Sequence, residues 1–357
     1  MNRVLNFILW VALLSGAVSK SATAQERFRI MEYNVENLFD TIPDAQHNDR
    51  AFLPDGEQQW TPERYWAKLG RLARVIAAAG GDVPVELVGL VEVENDSVIT
   101  HLTRRTSLNR LGYEYLVTES ADLRGMDVAL LYQPGRFRPL HSEALRVPAE
   151  VGVRPTRDIL FVEGLLPTLD TLSVFLAHFP SRRGGKQVTE AQRCQAANLI
   201  RQKVDSIQLR RPEALIIIMG DLNDEVQNAA LSESMGVVPA DKYNQETETA
   251  DAAPQALYDL TPNCAEHPNV RGTYYYQQEW NCLDHIIVSA PLLRSEAPLF
   301  TPTGKSRILA FPFLVEQSGT PLSLEVRPRR TYLGTHYHGG VSDHFPLLAT
   351  FIVNGLE

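Results

Sequence analysis

The sequence predicts a single layered domain of mixed α/β class, built from stacked strands and covering helices. Three observations carry this. Apolar runs of strand length recur along the 357 residues with turn signals between them. Several are apolar at successive positions, the pattern of strands covered on both faces. From residue 27 to the end there is no repeat, low-complexity tract or linker-like shift in composition that would mark a domain boundary. A chain of about 330 residues beyond its leader can bury a large core as one unit.

In chain order, residues 1–24 read as a secretory leader. Arg3 supplies a basic start, "VLNFILWVALLSGAV" an apolar stretch, and Ala22 and Ala24 the small-residue pattern that predicts cleavage after Ala24. The apolar stretch is shorter than the ~20 residues of a spanning helix, so an exported protein is expected, periplasmic or extracellular, with no membrane span after cleavage. The strands then run "RFRIMEYNV", "ELVGLVEV", "YEYLVTE", "MDVALLYQ", "RDILFVEGLL", "LSVFLAHF", "ALIIIMGDL", "LDHIIVSA" and "LLATFIV". Between them lie two helical signals. Thr61-Pro62 opens one helix, Tyr65, Leu69, Leu72 and Ile76 make its apolar stripe, and Gly80-Gly81 stops it. The capping box Thr189-x-x-Gln192 opens the other, with Ala191, Cys194, Ala197, Ile200, Val204 and Ile207 on one face. Stretches near residues 41–59, 226–256 and 300–335 collect polar residues and prolines and read as insertions or site rims.

The formal charge is −9, and losing Arg3 and Lys20 with the leader makes it −11. Such a chain is no general polyanion binder, so any nucleic-acid contact needs a local basic patch. Three cysteines (Cys194, Cys264, Cys282) are too few for a disulfide scaffold. Cys194 falls on a helix face and reads as core, while Cys264 and Cys282 permit one bridge in an oxidising compartment.

Polar residues gather where strands stop. Asn34 follows "RIMEY"; Glu92 lies in "LVGLVEVEN"; His178 ends "LSVFLAHF"; Asp221 and Asn223 end "ALIIIMGDLN"; Asp284 opens "LDHIIVS"; Asp343 and His344 precede the last strand in "GGVSDHFPLL". Taken singly, each is a cap, turn or surface group. Taken together, at strand ends where loops converge, they outline a ligand site. Carboxylates and an amide oxygen are hard ligands suited to Mg²⁺ or Mn²⁺, with Ca²⁺ also compatible. The histidines are too few, without thiolates, for structural zinc. A histidine beside a metal-bound phosphate can take a proton from water when a carboxylate orients it, which is the arrangement of metal-assisted phosphoester hydrolysis.

The motifs "NVENLF", "LVEVEN", "RGMDVALLY", "HFPSR", "MGDLND", "LDHIIVS" and "SDHFP", in this order from about Phe28 to Val353, resemble the endonuclease/exonuclease/phosphatase superfamily. That group includes pancreatic-type deoxyribonuclease, abasic-site endonucleases, neutral sphingomyelinases and inositol polyphosphate phosphatases. The resemblance implies a four-layer sandwich, two mixed β-sheets face to face with helices outside, and a divalent metal. It makes Glu92 the principal metal ligand, with Asn34 and Asp343 beside it directly or through water. Asp221 and Asn223 resemble the pair that orients the attacking water and the phosphate, His344 the catalytic histidine, Asp284 its carboxylate partner, and His178 the second histidine that contacts the scissile phosphate.

The expectation is an exported, monomeric, divalent-metal phosphodiesterase acting on DNA or RNA. The alternatives are a small-molecule or lipid phosphoesterase of the same superfamily, or an inactive binding protein, which the intact set of site residues disfavours. Arg182 and Arg183, with Lys186, form the clearest basic group and are assigned to flanking phosphates, against a solvated loop. Glu119 falls where the deoxyribonuclease-like branch supports its second histidine, or is a surface acid. Asp127 is a site residue or closes a turn. His285 should point away from the site by strand alternation. The segment Gly272 to Asn281, "GTYYYQQEWN", stacks on a base or packs in a hydrophobic rim.

Overall fold

The computed structural model describes residues 26–148, 154–243, 256–261, 269–320 and 323–355. The leader, its cleavage site and Cys264 lie outside the described residues. In chain order the elements are β1 (Glu26–Leu38), α1 (Pro62–Gly80), β2 (Leu87–Val93), α2 (Asp96–Arg105), β3 (Glu114–Val117), β4 (Asp127–Tyr132), β5 (Arg138–Leu145), β6 (Ile159–Leu165), β7 (Thr171–His178), α3 (Glu190–Arg210) and β8 (Leu215–Asp221). Then follow β9 (Val237–Pro239), β10 (Leu257–Asp259), β11 (Tyr274–Tyr276), β12 (Glu279–Asn281), β13 (Asp284–Ser289), β14 (Leu299–Phe300), β15 (Ser306–Ile308), β16 (Val315–Thr320), β17 (Ser323–Pro328), β18 (Tyr332–Leu333), β19 (His336–Tyr337) and β20 (Leu347–Val353).

Among the described residues two seven-stranded sheets form. One runs β14-β20-β1-β2-β4-β3 with β15 also on β20; the other runs β5-β6-β7-β8-β13-β10-β9. Both are mixed, because β1 with β2 and β7 with β8 are parallel among antiparallel neighbours. The side-chain alternation of β8 shows how the layers stack. Ile217 and Met219 enter the core shared by the two sheets, while Ile216 and Ile218 pack on the other face against Ile200 and Val204 of α3. Each such fully buried side chain contributes roughly 1.5–3 kcal/mol by leaving water. Gly89 of β2 marks a close approach of the sheets: a Cβ there would sit 2.8 Å from Leu176 Cδ1 and 2.9 Å from Met219 Cε. With α1 and α2 beside the first sheet and α3 beside the second, the four-layer sandwich is the observed fold.

All nine apolar runs are strands and α1 has its predicted bounds, with Thr61 accepting from Arg64 N. Several elements differ from the reading. β5 is a polar edge strand without apolar alternation. α2 is capped by Asn95, which accepts from Val98 N at 3.0 Å in a short segment carrying little apolar signal. The Thr189 capping box does not form. The Thr189 hydroxyl instead donates to Gly185 O and receives Arg193 Nη1. The buried face of α3 is rotated accordingly: Ala191 is exposed, Cys194 half-buried, and Arg193 fully buried. Residues 300–335 hold short hairpins rather than open loop, and Arg330 and Gly334 from its end reach the site as rim residues.

Candidate active site

Register places the site. β7, β8 and β13 are neighbours, and His178 is opposite Asp221, which is opposite Asp284, so three functional side chains form one row across the second sheet. From the first sheet, Asn34 of β1 lies opposite Val91 of β2, beside Glu92. The segment before β20 is tied to β1 by Ser342, whose hydroxyl donates to Asn34 O at 2.6 Å and accepts from His344 N at 3.0 Å. Of these side chains Glu92, His178, Asp221 and His344 line a cavity of about 880 Å³ with Asn223, Asp343 and Arg330, and Asn34 and Asp284 support them through hydrogen bonds.

Backbone strain concentrates here. Glu36 (φ 52), Asn37 (φ 48), Glu92 (φ 65) and Asn223 (φ 50) are non-glycine residues in the left-handed region, each costing on the order of 1 kcal/mol or more unless its surroundings hold it. Glu92 is the extra residue of a bulge between Val91 and Val93. Its carboxylate accepts from Asn37 N at 2.7 Å. Gly220 (φ 141) lets β8 pass Ala177 O, which a Cβ would meet at 1.8 Å, so Asp221 enters the cavity.

The polar contacts interlock. Asn34 Nδ2 donates to Asp221 Oδ2 at 3.0 Å and to Glu92 Oε1 at 3.4 Å, while its Oδ1 accepts from Glu36 N. Asn34 thus presents N–H to the two carboxylates and holds them together. His344 Nδ1 is 2.7 Å from Asp284 Oδ2, leaving Nε2 at 3.9 Å from Asp221 Oδ2 and 4.0 Å from Asp343 Oδ1. Burial would depress His344, but the Asp284 carboxylate and its hydrogen bond hold it well above the usual histidine range. His178 behaves oppositely: burial and then the Arg157 charge push it well below that range, and its Nε2 accepts from Arg157 Nη2 at 3.2 Å. It is therefore a neutral imidazole with Nε2 facing Glu92 and Asp221 at 3.9 and 3.7 Å. Asp221 is raised to about 7 by burial and then by Asp284. Beneath Asn34, the buried Lys68 donates to Glu36 O and Thr331 Oγ1; burial lowers it to about 8.

Glu92, Asp221 and Asp343 thus share one cleft, with Asp284 behind His344 and with Arg330 on Asp343 at 2.6 Å. Buried like charges of this kind call for a cation of their own, and oxygen donors suit a hard divalent one. Among the described residues, Asp221, Asp284 and His344 present ligand-type atoms within 4.8 Å of one another. His344 Nδ1 is already engaged by Asp284, whereas Asn34 brings the Asp221 and Glu92 carboxylates onto one donor, and these oxygens fit a hard cation.

The basic group of the following loop divides. Arg182 is consumed internally: Nε donates to Asn223 O at 2.7 Å, and its Nη atoms reach Asn281, Asp224 and Asn228. These contacts make it the clasp of the strained Asn223 turn, while it also lines the catalytic cavity. Arg183 and Lys186 are exposed, and Arg183 lines the cavity. Glu119 is exposed in a separate cavity with His47 and Arg146. Asp127 closes its turn by accepting from Thr118 Oγ1 and Ser120 N. His285 points away, to Asp259 Oδ2 at 2.7 Å and Asp224 O at 2.8 Å. Among the described residues Cys282 has no disulfide partner, and burial pushes its thiol up to about 12; the expected bridge to Cys264 lies outside the described residues. Sequence reasoning missed Glu36, Lys68, Arg157 and Arg330. Arg157 opens an apolar strand run, which was its one visible signal; the others are brought in by tertiary packing alone.

A family model described as the endonuclease/exonuclease/phosphatase family matches residues 29–352. No curated protein sequence matches. Among solved structures, an endonuclease/exonuclease/phosphatase family protein from Bacteroides thetaiotaomicron is 15% identical with a TM-score of 0.55, covering 93% of this chain and 100% of that one. A humanized D. rerio TDP2 is 16% identical with a TM-score of 0.55, covering 91% and 98%. A mannosyl-6-phosphatase from B. thetaiotaomicron is 15% identical with a TM-score of 0.55, covering 91% and 99%.

Proposed function

Because the chain belongs to the endonuclease/exonuclease/phosphatase family, we propose that it is an exported, divalent-metal-dependent phosphodiesterase acting on nucleic acid. The observation that carries this reading is the His344–Asp284 pair at 2.7 Å, whose free nitrogen faces Asp221 and Asp343. Asp284 fixes the imidazole, and the Asp221–His344 couple takes the proton of the attacking water as one titrating unit. Asn223, on the cavity wall, would hold a phosphate oxygen, and neutral His178, whose Nε2 accepts from Arg157, orients that guanidinium for phosphate. Glu92 and Asp343 would hold the cation, with Asn34 orienting Glu92; when bound, the cation supplies positive charge against the phosphate oxygens and the leaving group.

A second cavity of about 700 Å³ favours an extended substrate. It shares Glu92, Ser181, Arg183 and Gly184 with the first and is lined by Arg124, Arg154 and Arg157 as well. Guanidinium groups in such a groove suit the next phosphate of a chain. A TDP2 structure holds a single-strand DNA product, which agrees with this choice; the mannosyl-6-phosphatase likeness supplies the rival, a sugar phosphomonoesterase.

The test is turnover of single-stranded oligonucleotide, plasmid DNA, RNA and mannose 6-phosphate with Mg²⁺ or Mn²⁺. The expected result is nucleic-acid cleavage that stops with chelator and falls at least about 100-fold in Glu92→Gln. Turnover of the sugar phosphate alone would replace the substrate class, and chelator-resistant turnover would remove the metal. N-terminal sequencing of the exported protein should begin at Gln25.

A further inference from the structure

Strand alternation splits the hairpin β11–β12 into two aromatic faces. Tyr275 packs on Trp280 with centroids 5.0 Å apart, and Trp280 stacks on the buried Phe345 at 6.1 Å and 19°. That face fastens the hairpin to the core. Tyr274 and Tyr276 share the other face. Their rings stack at 6.0 Å and 14°, and Tyr274 lies 4.7 Å from the His344 ring at 30°. Three rings therefore form a ladder from the imidazole of the active site outward. Its outermost member, Tyr276, is 51% exposed and lines the catalytic cavity.

The ladder is held in place. Gln277 (φ 49) and Gln278 (φ 66) both turn in the left-handed region, the geometry of a tight two-residue hairpin that matches strand twist. Glutamine does not favour it, so this turn is maintained at a cost. A large ring left exposed in a polar cavity, braced from behind by a second ring, presents a π face to whatever enters beside the phosphate.

We propose that Tyr274 and Tyr276 are a stacking platform for a nucleobase of single-stranded nucleic acid next to the scissile phosphate. The inference rests on the phosphodiesterase reading above and narrows its substrate. In a duplex the base faces are already occupied, whereas unpaired bases stack on aromatic side chains with little sequence preference. A sugar monophosphate lacks both the base for this platform and the second phosphate for the arginine-lined cavity.

The experiment compares an oligothymidylate single strand with the same strand carrying tetrahydrofuran residues in place of every base. For Tyr276→Leu, the ratio of kcat/KM on the base-bearing strand to that on the abasic strand should fall about 10-fold, mainly through KM, and Tyr276→Trp should restore it. Calorimetric titration of both strands in the presence of chelator should give the same ratio in affinity and does not depend on turnover. Equal losses on the two strands, or no loss in either measurement, overturn the platform. If the wild-type protein cleaves no phosphodiester, the parent reading fails while the affinity ratio still decides the platform.

Discussion

His344 and Asp343 are adjacent in sequence yet contribute to different chemistry. One engages Asp284 at 2.7 Å and the other Arg330 at 2.6 Å. If His344 and Asp284 act as a unit, His344→Ala and Asp284→Asn should each lower kcat by about 10²–10⁴-fold, and the double variant should lose far less than the product. A fully multiplicative cycle in steady-state kinetics would separate them. Arg182 makes a second residue-scale case. Because four contacts bind it to Asn223, Asp224, Asn228 and Asn281, Arg182→Ala should lower kcat on small and polymeric substrates alike and reduce the thermal midpoint by several degrees. Arg183→Ala should instead weaken only the polymeric substrate and lower the salt slope of binding by about 1.

At the scale of elements, strand ends and bulges aim the site, and glycine permits one of them. Gly220→Ala would force a Cβ to 1.8 Å from Ala177 O at a φ of 141°. It should cost about 3 kcal/mol or more in denaturant unfolding and dislodge Asp221; a midpoint equal to wild type would show that β8 can shift without loss. The same elements explain what was legible beforehand. Strands such as "ALIIIMGDL" announce themselves by apolar runs, and Asp221 or Asp284 by standing where those runs stop. The clasp role of Arg182 is not legible in the sequence, because a cation in a glycine-bearing loop looks solvent-facing until its partners from β12 and the turn after β8 are brought beside it. The β11–β12 hairpin was invisible as a hairpin because its turn residues are Gln277-Gln278, and Lys68 reads as a helix-surface residue although it is fully buried.

Across the whole molecule, buried charge couples stability to pH. His285 lies behind the catalytic row. Burial opposes its protonation, yet the Asp259 charge and hydrogen bond raise it to about 9. Against an unfolded value of about 6.5, the native state binds this proton more tightly. Its stabilisation is then complete below about pH 6.5 and is lost as pH rises through about 9. Melting curves from pH 6 to about 10 should show the midpoint falling over that window, and His285→Gln should flatten the fall. An unchanged slope in the variant would place the coupling elsewhere.

The two faces of the second sheet divide the interior unequally: one packs on the large shared core, the other on a smaller cluster beneath α3. Opening is then not uniform. α3 is expected to detach as a sub-global unit while β1, β2 and β8 remain closed, and native-state hydrogen exchange should rank its amides below theirs in opening free energy. Gln192 and Gln195 of α3 form a wall of the arginine-lined cavity. On that expectation the α3 wall of the cavity opens before the carboxylate row does, so accommodation of a long ligand and rigidity of the reaction centre should belong to different cooperative units of the same chain.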